Sequence, residues 1–277
     1  MSGRPFAIAV LFLFASPLLA DSELSKELVK KMKDSDPDVR LEAVMDAQEV
    51  PEAAVTVQLA SLLADKDGVV RSAAIEALRL RPVPAERKKA ATALAGRLKA
   101  LSKKLSDEEE YTLVISALHD LAEPVSIKAL LDIDPEEERD TARQRLFAVA
   151  NVAAADAIEG LIDFLAKGIN RRTGQRQFAA QALRYATGKQ YGHDPDQWRS
   201  WWKDAKATFD FEAAADRRSQ DAARKEEKAR QQEEAKARRE QREKERAEKE
   251  AQKPGGDGEK PPEEPRDPGP PDGGEEK

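Results

Sequence analysis

Apolar positions recur with a helical period from residue 24 onward. The first two runs are Leu24, Leu28, Val29 and Met32, and then Val39, Ala43, Val44 and Ala47. This spacing places apolar side chains on one face of each α-helix. Between the runs, Asp36 suits a helix cap and Pro37 suits a first helical turn. The pattern predicts two antiparallel helices with a short connection.

The second of these helices has a loosened copy further along the chain. Arg71 follows Arg40 by 31 positions. The same shift places Asp67 on Asp36. Self-similarity at about 20–50 residues is typical of a solenoid, in which each unit buries its apolar face against its neighbours.

Three later units follow in a more degenerate form. The register places Tyr111, Arg143 and Arg176 where the first two units have arginine. The third unit opens with a longer helix, at about residues 85–105, after prolines that end the preceding one. We therefore predict about five helix pairs, with an irregular helical bundle and a chance match as the alternative.

The second unit resembles a HEAT repeat, of the short bacterial kind related to the repeats of phycobilisome lyases. The resemblance rests on Leu59, Leu63, Asp65, Asp67, Val70, Arg71, Ala74, Ala77 and Leu78. It covers about residues 24–186 and is strongest in the first two units. It implies an all-α solenoid in which the inter-helix aspartate and the following arginine interact with neighbouring units. Asp36 with Arg40, and Asp67 with Arg71, match those positions, whereas Tyr111 departs from them.

A tryptophan-rich segment follows the fifth unit. Asp194 and Pro195 predict a helix start, and Trp198, Trp201 and Trp202 then share one side of that helix. The segment is similar to an ending seen on HEAT-type domains of exported bacterial proteins. We expect a C-terminal cap on the open end of the solenoid. An aromatic cage for a sugar or a cation is the alternative.

The last quarter of the chain changes composition. Residues 212–252 are almost entirely Ala, Glu, Lys, Arg, Gln and Asp. Acidic residues precede basic ones by four, which favours a single helix: the pairs are Asp221/Lys225, Glu226/Arg230, Glu234/Arg238, Glu240/Lys244 and Glu245/Lys249. Leucine and valine are missing at heptad positions, so no coiled-coil seam is expected. Residues 253–277 have the proline, glycine and charge content of a disordered tail.

The start of the chain has the pattern of an export signal. Arg4 precedes an apolar run at residues 6–19, and Ala20 follows as a small cleavage-site residue. The run is too short to span a bilayer as a helix. We expect a signal peptide at residues 1–20, a mature solenoid with its cap at residues 21–211, and a periplasmic or secreted location. No stable membrane insertion is expected after cleavage.

Composition limits the chemistry that the chain can perform. The 277 residues include no cysteine and two histidines, His119 and His193. A cysteine nucleophile or a histidine-rich metal site is therefore impossible. The Asp-x-Asp pairs between helices lack the glycine that a calcium loop requires, and capping explains them. We expect no catalytic site, no metal and no cofactor.

The second helices of a HEAT-like solenoid are the ones expected to present a binding surface. One register position is polar in every unit and leans positive: Gln48, Arg79, His119, Asn151 and Arg184. Each follows a residue expected to be buried, so its side chain should flank the apolar stripe and reach solvent. We call these five residues the ridge. It is a candidate contact for an acidic protein segment or another anionic partner, and an ordinary solvated helix face is the alternative.

The sequence therefore predicts a non-enzymatic protein-interaction scaffold. Two alternatives remain open: a lyase-like or chromophore-handling HEAT protein, and an envelope spacer that acts through its charged helix. The net charge of −6 and the interleaved acids of residues 212–252 argue against a nucleic-acid partner.

Overall fold

The computed structural model describes residues 22–103, 108–167 and 174–251, with side chains up to residue 245. These residues form twelve α-helices, two short 3₁₀ turns and no β-strand. The pairs are α1 (Glu23–Lys31) with α2 (Pro37–Asp46), α3 (Ala53–Leu62) with α4 (Gly68–Arg79), α5 (Pro84–Leu101) with α6 (Glu108–Leu121), α7 (Ile127–Leu131) with α8 (Arg139–Asn151), and α9 (Ala155–Ala166) with α10 (Gln175–Thr187), followed by α11 (Pro195–Ala205) and α12 (Phe211–Ala251). The predicted signal peptide and the predicted tail lie outside the described residues.

The paired helices stack in two layers. In one layer, α1 packs on α3, α3 on α5, α5 on α7, α7 on α9, and α9 on α11. In the other, α2 packs on α4, α4 on α6, α6 on α8, and α8 on α10. Each unit thus contacts the next through both of its helices, which confirms the predicted all-α solenoid. We call the solvent side of α2, α4, α6, α8 and α10 the second-helix face.

The helix starts follow the predicted cap chemistry. The Asp36 carboxylate accepts a hydrogen bond from the amide of Asp38 at 3.0 Å, and Pro37 is the first residue of α2. The Asp67 carboxylate accepts from the amides of Val69 and Val70 at 2.8 and 3.1 Å. These bonds satisfy amides that the first helical turn leaves unpaired.

The core of the second-helix layer uses small side chains. Ala43, Ala74, Ala77 and Ala117 are fully buried, next to larger residues such as Leu78. Alanine at a helix contact lets the two axes approach closely, because interaxial distance depends on the side chains between them. These buried alanines therefore form the packing surface between neighbouring second helices.

The fourth unit is the least regular. Its first helix, α7, has five residues and follows a 3₁₀ turn at Pro124–Ser126. A groove of about 780 Å³ lies beside it, lined by residues of α5, α7 and α9. At Gly160 of α9, an added Cβ would lie 2.6 Å from Leu131 Cδ1, so glycine lets α9 lie close to α7. Sequence periodicity did not reveal how short this helix is.

The tryptophans of α11 are packed against the end of the solenoid. Trp198 is fully buried and its indole N–H donates to the carbonyl of Gly192 at 3.0 Å. The buried indole of Trp202 donates to Glu159 Oε1 at 3.1 Å. Trp201 lies between the rings of Tyr191 and Phe209. Buried, hydrogen-bonded indoles build a cap and do not form an open aromatic cage.

The chain divides into two compact units, Met1–Gln220 and Asp221–Lys277. In the second unit, every described side chain from residue 221 to residue 245 is exposed. One ion pair there joins Arg230 to Glu234 at 3.9 Å, with the base first. The predicted acid-first pairs with described side chains do not reach ion-pair distance. None of the described helices combines the length and the apolar character needed to cross a lipid bilayer.

Candidate functional site

A buried arginine joins the first unit to the second. Arg40 of α2 donates to both carboxylate oxygens of Asp65, at 2.8 and 2.7 Å. It also donates to the carbonyls of Asp34 and Ser35 in its own loop. The sequence analysis assigned the inter-unit contact to Asp36 and Asp67. That assignment is wrong, because both of those carboxylates cap helices, and the first aspartate of the second Asp-x-Asp accepts the arginine.

The same arrangement continues into the third unit with a different acid. Arg71 of α4 donates to Glu110 Oε2 at 2.8 Å, and Arg97 of α5 donates to Glu110 Oε1 at 2.5 Å. Burial disfavours the charged form of Glu110, but these hydrogen bonds outweigh it and lower the pKa of the carboxyl below its ordinary value. In the same way the Arg40 hydrogen bonds overcome burial and lower the pKa of Asp65.

A tyrosine carries the contact between the third and fourth units. The hydroxyl of Tyr111 donates to Glu137 Oε1 at 3.1 Å and accepts from Arg145 at 2.5 Å. Arg145 also donates to Glu137 Oε2 at 2.9 Å and to three carbonyls of its own unit, those of Ala129, Leu130 and Asp132. Burial of the phenol, with Glu137 beside it, raises the pKa of Tyr111 to about 12. We call this series of polar contacts between neighbouring units the ladder. Tyr111 takes the place of an arginine in it without breaking the polar contact.

In the last two units, the register position of Arg40 and Arg71 does not carry the inter-unit contact. Arg143 and Arg176 occupy that position, but Arg143 is exposed, and Arg176 donates to the carbonyl of His193. Arg145 and the buried Gln175 take those roles, and the amide of Gln175 donates to the carbonyl of Asp134 at 2.9 Å.

Sequence reasoning missed a second buried arginine at the opposite edge of the layers. Arg81 follows α4, is 1% exposed, and donates to the carbonyls of Ala47 and Val50 at the end of the first unit. Desolvation by burial lowers the pKa of Arg81, and it outweighs the charges of Glu86 and Glu52, which raise that pKa. An arginine between a helix end and Pro82 looks like a loop residue in the sequence, so no periodic signal marks it.

Four of the ridge residues lie on the second helices α4, α6, α8 and α10, and Gln48 lies in the turn just after α2. Arg184 is exposed, and Gln48, Arg79, His119 and Asn151 are half-buried. The Asn151 amide donates to the carbonyl of His119 at 2.9 Å. Arg79 donates to Glu76 and to Asp120, each at 2.7 Å. Two of the five ridge side chains therefore already link neighbouring units.

The charge of the second-helix face changes sign along the stack. The exposed charges of α2 are Asp38, Glu42 and Asp46, and those at the start of α6 are Glu108 and Glu109. In contrast, α10 has two arginines and no acid, and Asp140 is the single acid of α8. The face is acidic at its first units and basic at its last.

A depression of about 640 Å³ lies at the loop edge of the third and fourth units. Its lining includes Glu108, Asp132, Asp134, Glu136, Glu137 and Glu138. Repulsion from Glu108 raises the pKa of Glu138. Within the described ranges, no group of three or more His, Asp or Glu side chains is arranged to hold a metal ion. Glu137, one of these lining residues, is the acid that pairs with Arg145.

These features define a class: an α-solenoid of repeated helix pairs whose units are joined by buried polar contacts. A family model of HEAT repeats matches residues 7–79, which covers the first two units. The match identifies HEAT-type repeats in this part of the chain, and the all-helical fold of the described residues agrees with it. The matched stretch begins within the predicted export signal. A search of curated proteins finds no match. HEAT repeats in general act as protein-interaction scaffolds, through the extended surface that stacked units provide.

Proposed function

We propose that this protein is a non-enzymatic scaffold that acts outside the cytoplasm and binds a protein partner through its second-helix face. The observation that carries the proposal is the continuous stack of α2, α4, α6, α8 and α10, along which one register position reaches solvent in all five units. A stack of this kind offers an extended partner one contact per unit.

The partner is an acidic protein segment. Carboxylates are attracted to exposed arginine, and Arg184 at the basic end of the face makes no ion pair within the described part of the chain. Arg79 contributes little to this attraction because Glu76 and Asp120 offset its charge. The partner therefore contacts Arg184 and its neighbours through charge, and the rest of the ridge through polar and shape complementarity.

A spacer role is the second candidate, and α12 is the observation that favours it. The helix has 41 residues, which corresponds to a length of about 60 Å. Its described side chains beyond residue 220 are all exposed. The chromophore-handling alternative rests on a likeness of fold alone, and a fold does not imply a function.

One capture experiment separates the scaffold from the spacer and also tests export. Tagged full-length protein and a version ending at residue 220 are expressed in the native host and purified from the extracytoplasmic fraction. Binding by the solenoid predicts that both versions retain the same partner, and export predicts a first residue near Asp21 in peptide mapping. Loss of the partner from the shortened version would favour the spacer. An intact Met1 on most molecules would contradict export.

A further inference from the structure

Two aromatic rings on the last units hold arginines at the solvent side of the second-helix face. The rings of Phe147 on α8 and Tyr185 on α10 lie 5.4 Å apart. The guanidinium of Arg143 lies 5.7 Å from the centre of the Phe147 ring, and that of Arg218 lies 5.3 Å from the centre of the Tyr185 ring. We call these four residues the cation–aromatic corner. It joins three helices, α8, α10 and α12.

The arginines of the corner keep their charge available. Arg143 and the neighbouring Arg184 are exposed, and neither makes an ion pair with a carboxylate in the described part of the chain. Arg218 donates weakly to the carbonyl of Ala186 at 3.5 Å and likewise has no described carboxylate partner. A guanidinium stacked on a ring is held in place, and its N–H groups can still bind a carboxylate at the edge of the group.

The arginines of α2 and α4 on or beside this face are occupied. Arg40 and Arg71 are paired with Asp65 and Glu110. Arg79 is shared between Glu76 and Asp120. An acidic ligand therefore finds unpaired guanidinium groups at α8 and α10, and finds exposed carboxylates at α2.

We propose that the cation–aromatic corner, with Arg184, receives an acidic peptide segment that also carries an apolar side chain. The carboxylates pair with Arg143, Arg184 and Arg218, and the apolar group packs on the half-buried rings of Phe147 and Tyr185. This inference rests on the proposed scaffold function and specifies which part of the second-helix face contacts the partner. The reversed charge at α2 fixes the polarity of the bound segment, with its acidic part toward α10.

A protein segment fits the corner better than a nucleic acid does. The corner and Arg184 together offer three guanidinium groups at one end of a face whose other end is acidic. A nucleic acid carries one phosphate per nucleotide and would extend over the carboxylates of α2 and α6, where it is repelled. A short acidic segment needs only the basic end.

The test uses the full mature chain and a defined probe. The probe is a fluorescent peptide of glutamate and phenylalanine, and its matched control replaces each glutamate by glutamine. Binding is measured by fluorescence anisotropy over a range of salt concentrations. We expect the acidic peptide to bind, with an affinity that falls as salt rises, and the glutamine peptide to bind at least about tenfold more weakly.

Charge reversal identifies the surface that binds the probe. Arg143→Glu combined with Arg184→Glu should weaken binding of the acidic peptide by about tenfold or more and reduce its salt dependence. Lys88→Glu combined with Lys99→Glu, at exposed positions of α5, makes the same change in net charge and should leave binding unchanged. Circular dichroism and thermal melting check that both variants are folded.

Four results would overturn the inference. They are no binding of the acidic peptide, equal binding of the glutamine peptide, equal loss in the two double variants, and tighter binding of a single-stranded oligonucleotide than of the peptide at equal salt. Capture of the cellular partner distinguishes failure of this inference from failure of the scaffold proposal. If the Arg143→Glu, Arg184→Glu variant still captures that partner at wild-type level, the scaffold stands and the corner is not its contact.

Discussion

At the scale of single residues, buried arginines hold neighbouring units together. Arg40 and Arg71 each donate to carbonyls of their own loop and to a carboxylate of the next unit. Arg145 donates to Glu137 of its own unit and reaches back to Tyr111 of the previous unit. A buried guanidinium that loses its partner is costly, as is a carboxylate left alone. These residues therefore resist separation of the units and fix their register.

The two arginines of α8 provide a direct test of this role. Arg145→Met should lower the free energy of unfolding by about 3–5 kcal/mol, because it leaves the buried carboxylate of Glu137 without its positive partner and three carbonyls without this donor. Arg143→Met makes the same substitution two residues earlier, at an exposed position, and should change it by less than about 0.5 kcal/mol. Urea unfolding followed by circular dichroism measures both. Similar losses in the two variants would contradict the ladder.

The lowered carboxyl pKa values predict loss of stability in acid. For Asp65, Glu110 and Asp120, hydrogen bonds from arginine outweigh the effect of burial, and each folded-state pKa lies below its ordinary value. The unfolded chain then binds more protons than the folded chain below about pH 4. The stabilisation is thus present above that pH and is lost as the pH falls through the folded-state pKa values.

Asp65→Asn isolates one of these groups. The variant should be less stable than wild type by about 1–3 kcal/mol at neutral pH, because Arg40 loses its charged partner. The difference should shrink as the pH falls below about 4. Asp46→Asn, at an exposed position at the end of α2, serves as the control and should follow wild type. A difference between Asp65→Asn and wild type that does not change with pH would show that the ionised carboxylate is not responsible.

At the scale of elements, the sequence predicted boundaries wherever local chemistry sets them. Asp36 and Asp67 mark helix starts because their carboxylates accept hydrogen bonds from amides of the first turn. Pro37 marks one because its ring suits the first helical position. The same logic placed Pro195 at the start of α11. The short α7 was not predictable, since its length depends on packing between α5 and α9. The shift from Arg143 to Arg145 was not predictable either. Arg145 pairs with Glu137 in the connection before α8, and that connection carries no periodic signal.

The first turns of α12 belong to the solenoid, which a pair of truncations can show. Ala214 is buried, Phe211 packs on Trp202, and Arg217 donates to the carbonyl of Thr187 at 3.1 Å. Ending the chain after residue 208 should therefore lower the melting temperature by about 5 °C or more. Ending it after residue 220 should leave the melting temperature unchanged, because the described side chains beyond that point are exposed. Equal melting temperatures of the two truncations would contradict this division.

At the scale of the whole molecule, repetition made the fold predictable and left the binding surface only partly so. The Asp-x-Asp and following arginine of the first two units, with the apolar register carried through three more degenerate units, predicted five helix pairs, because each pair can bury its apolar face only on a neighbour. The ridge positions also followed from register. The neutralisation of Arg79 by Asp120, and the meeting of Phe147 with Tyr185, join residues about 40 positions apart. Spacing along the chain does not encode such contacts.

The most direct measurement of the central claim is site-specific photo-crosslinking in the native host. A photoreactive amino acid is placed at Ser116 or Gln181, exposed positions one turn before ridge residues, and in separate strains at Val57 or Lys128, exposed on the first-helix layer. Binding through the second-helix face predicts a discrete adduct of the same partner from Ser116 and Gln181, and none from Val57 or Lys128. Adducts of that partner from Val57 and Lys128, with none from Ser116 and Gln181, would contradict it.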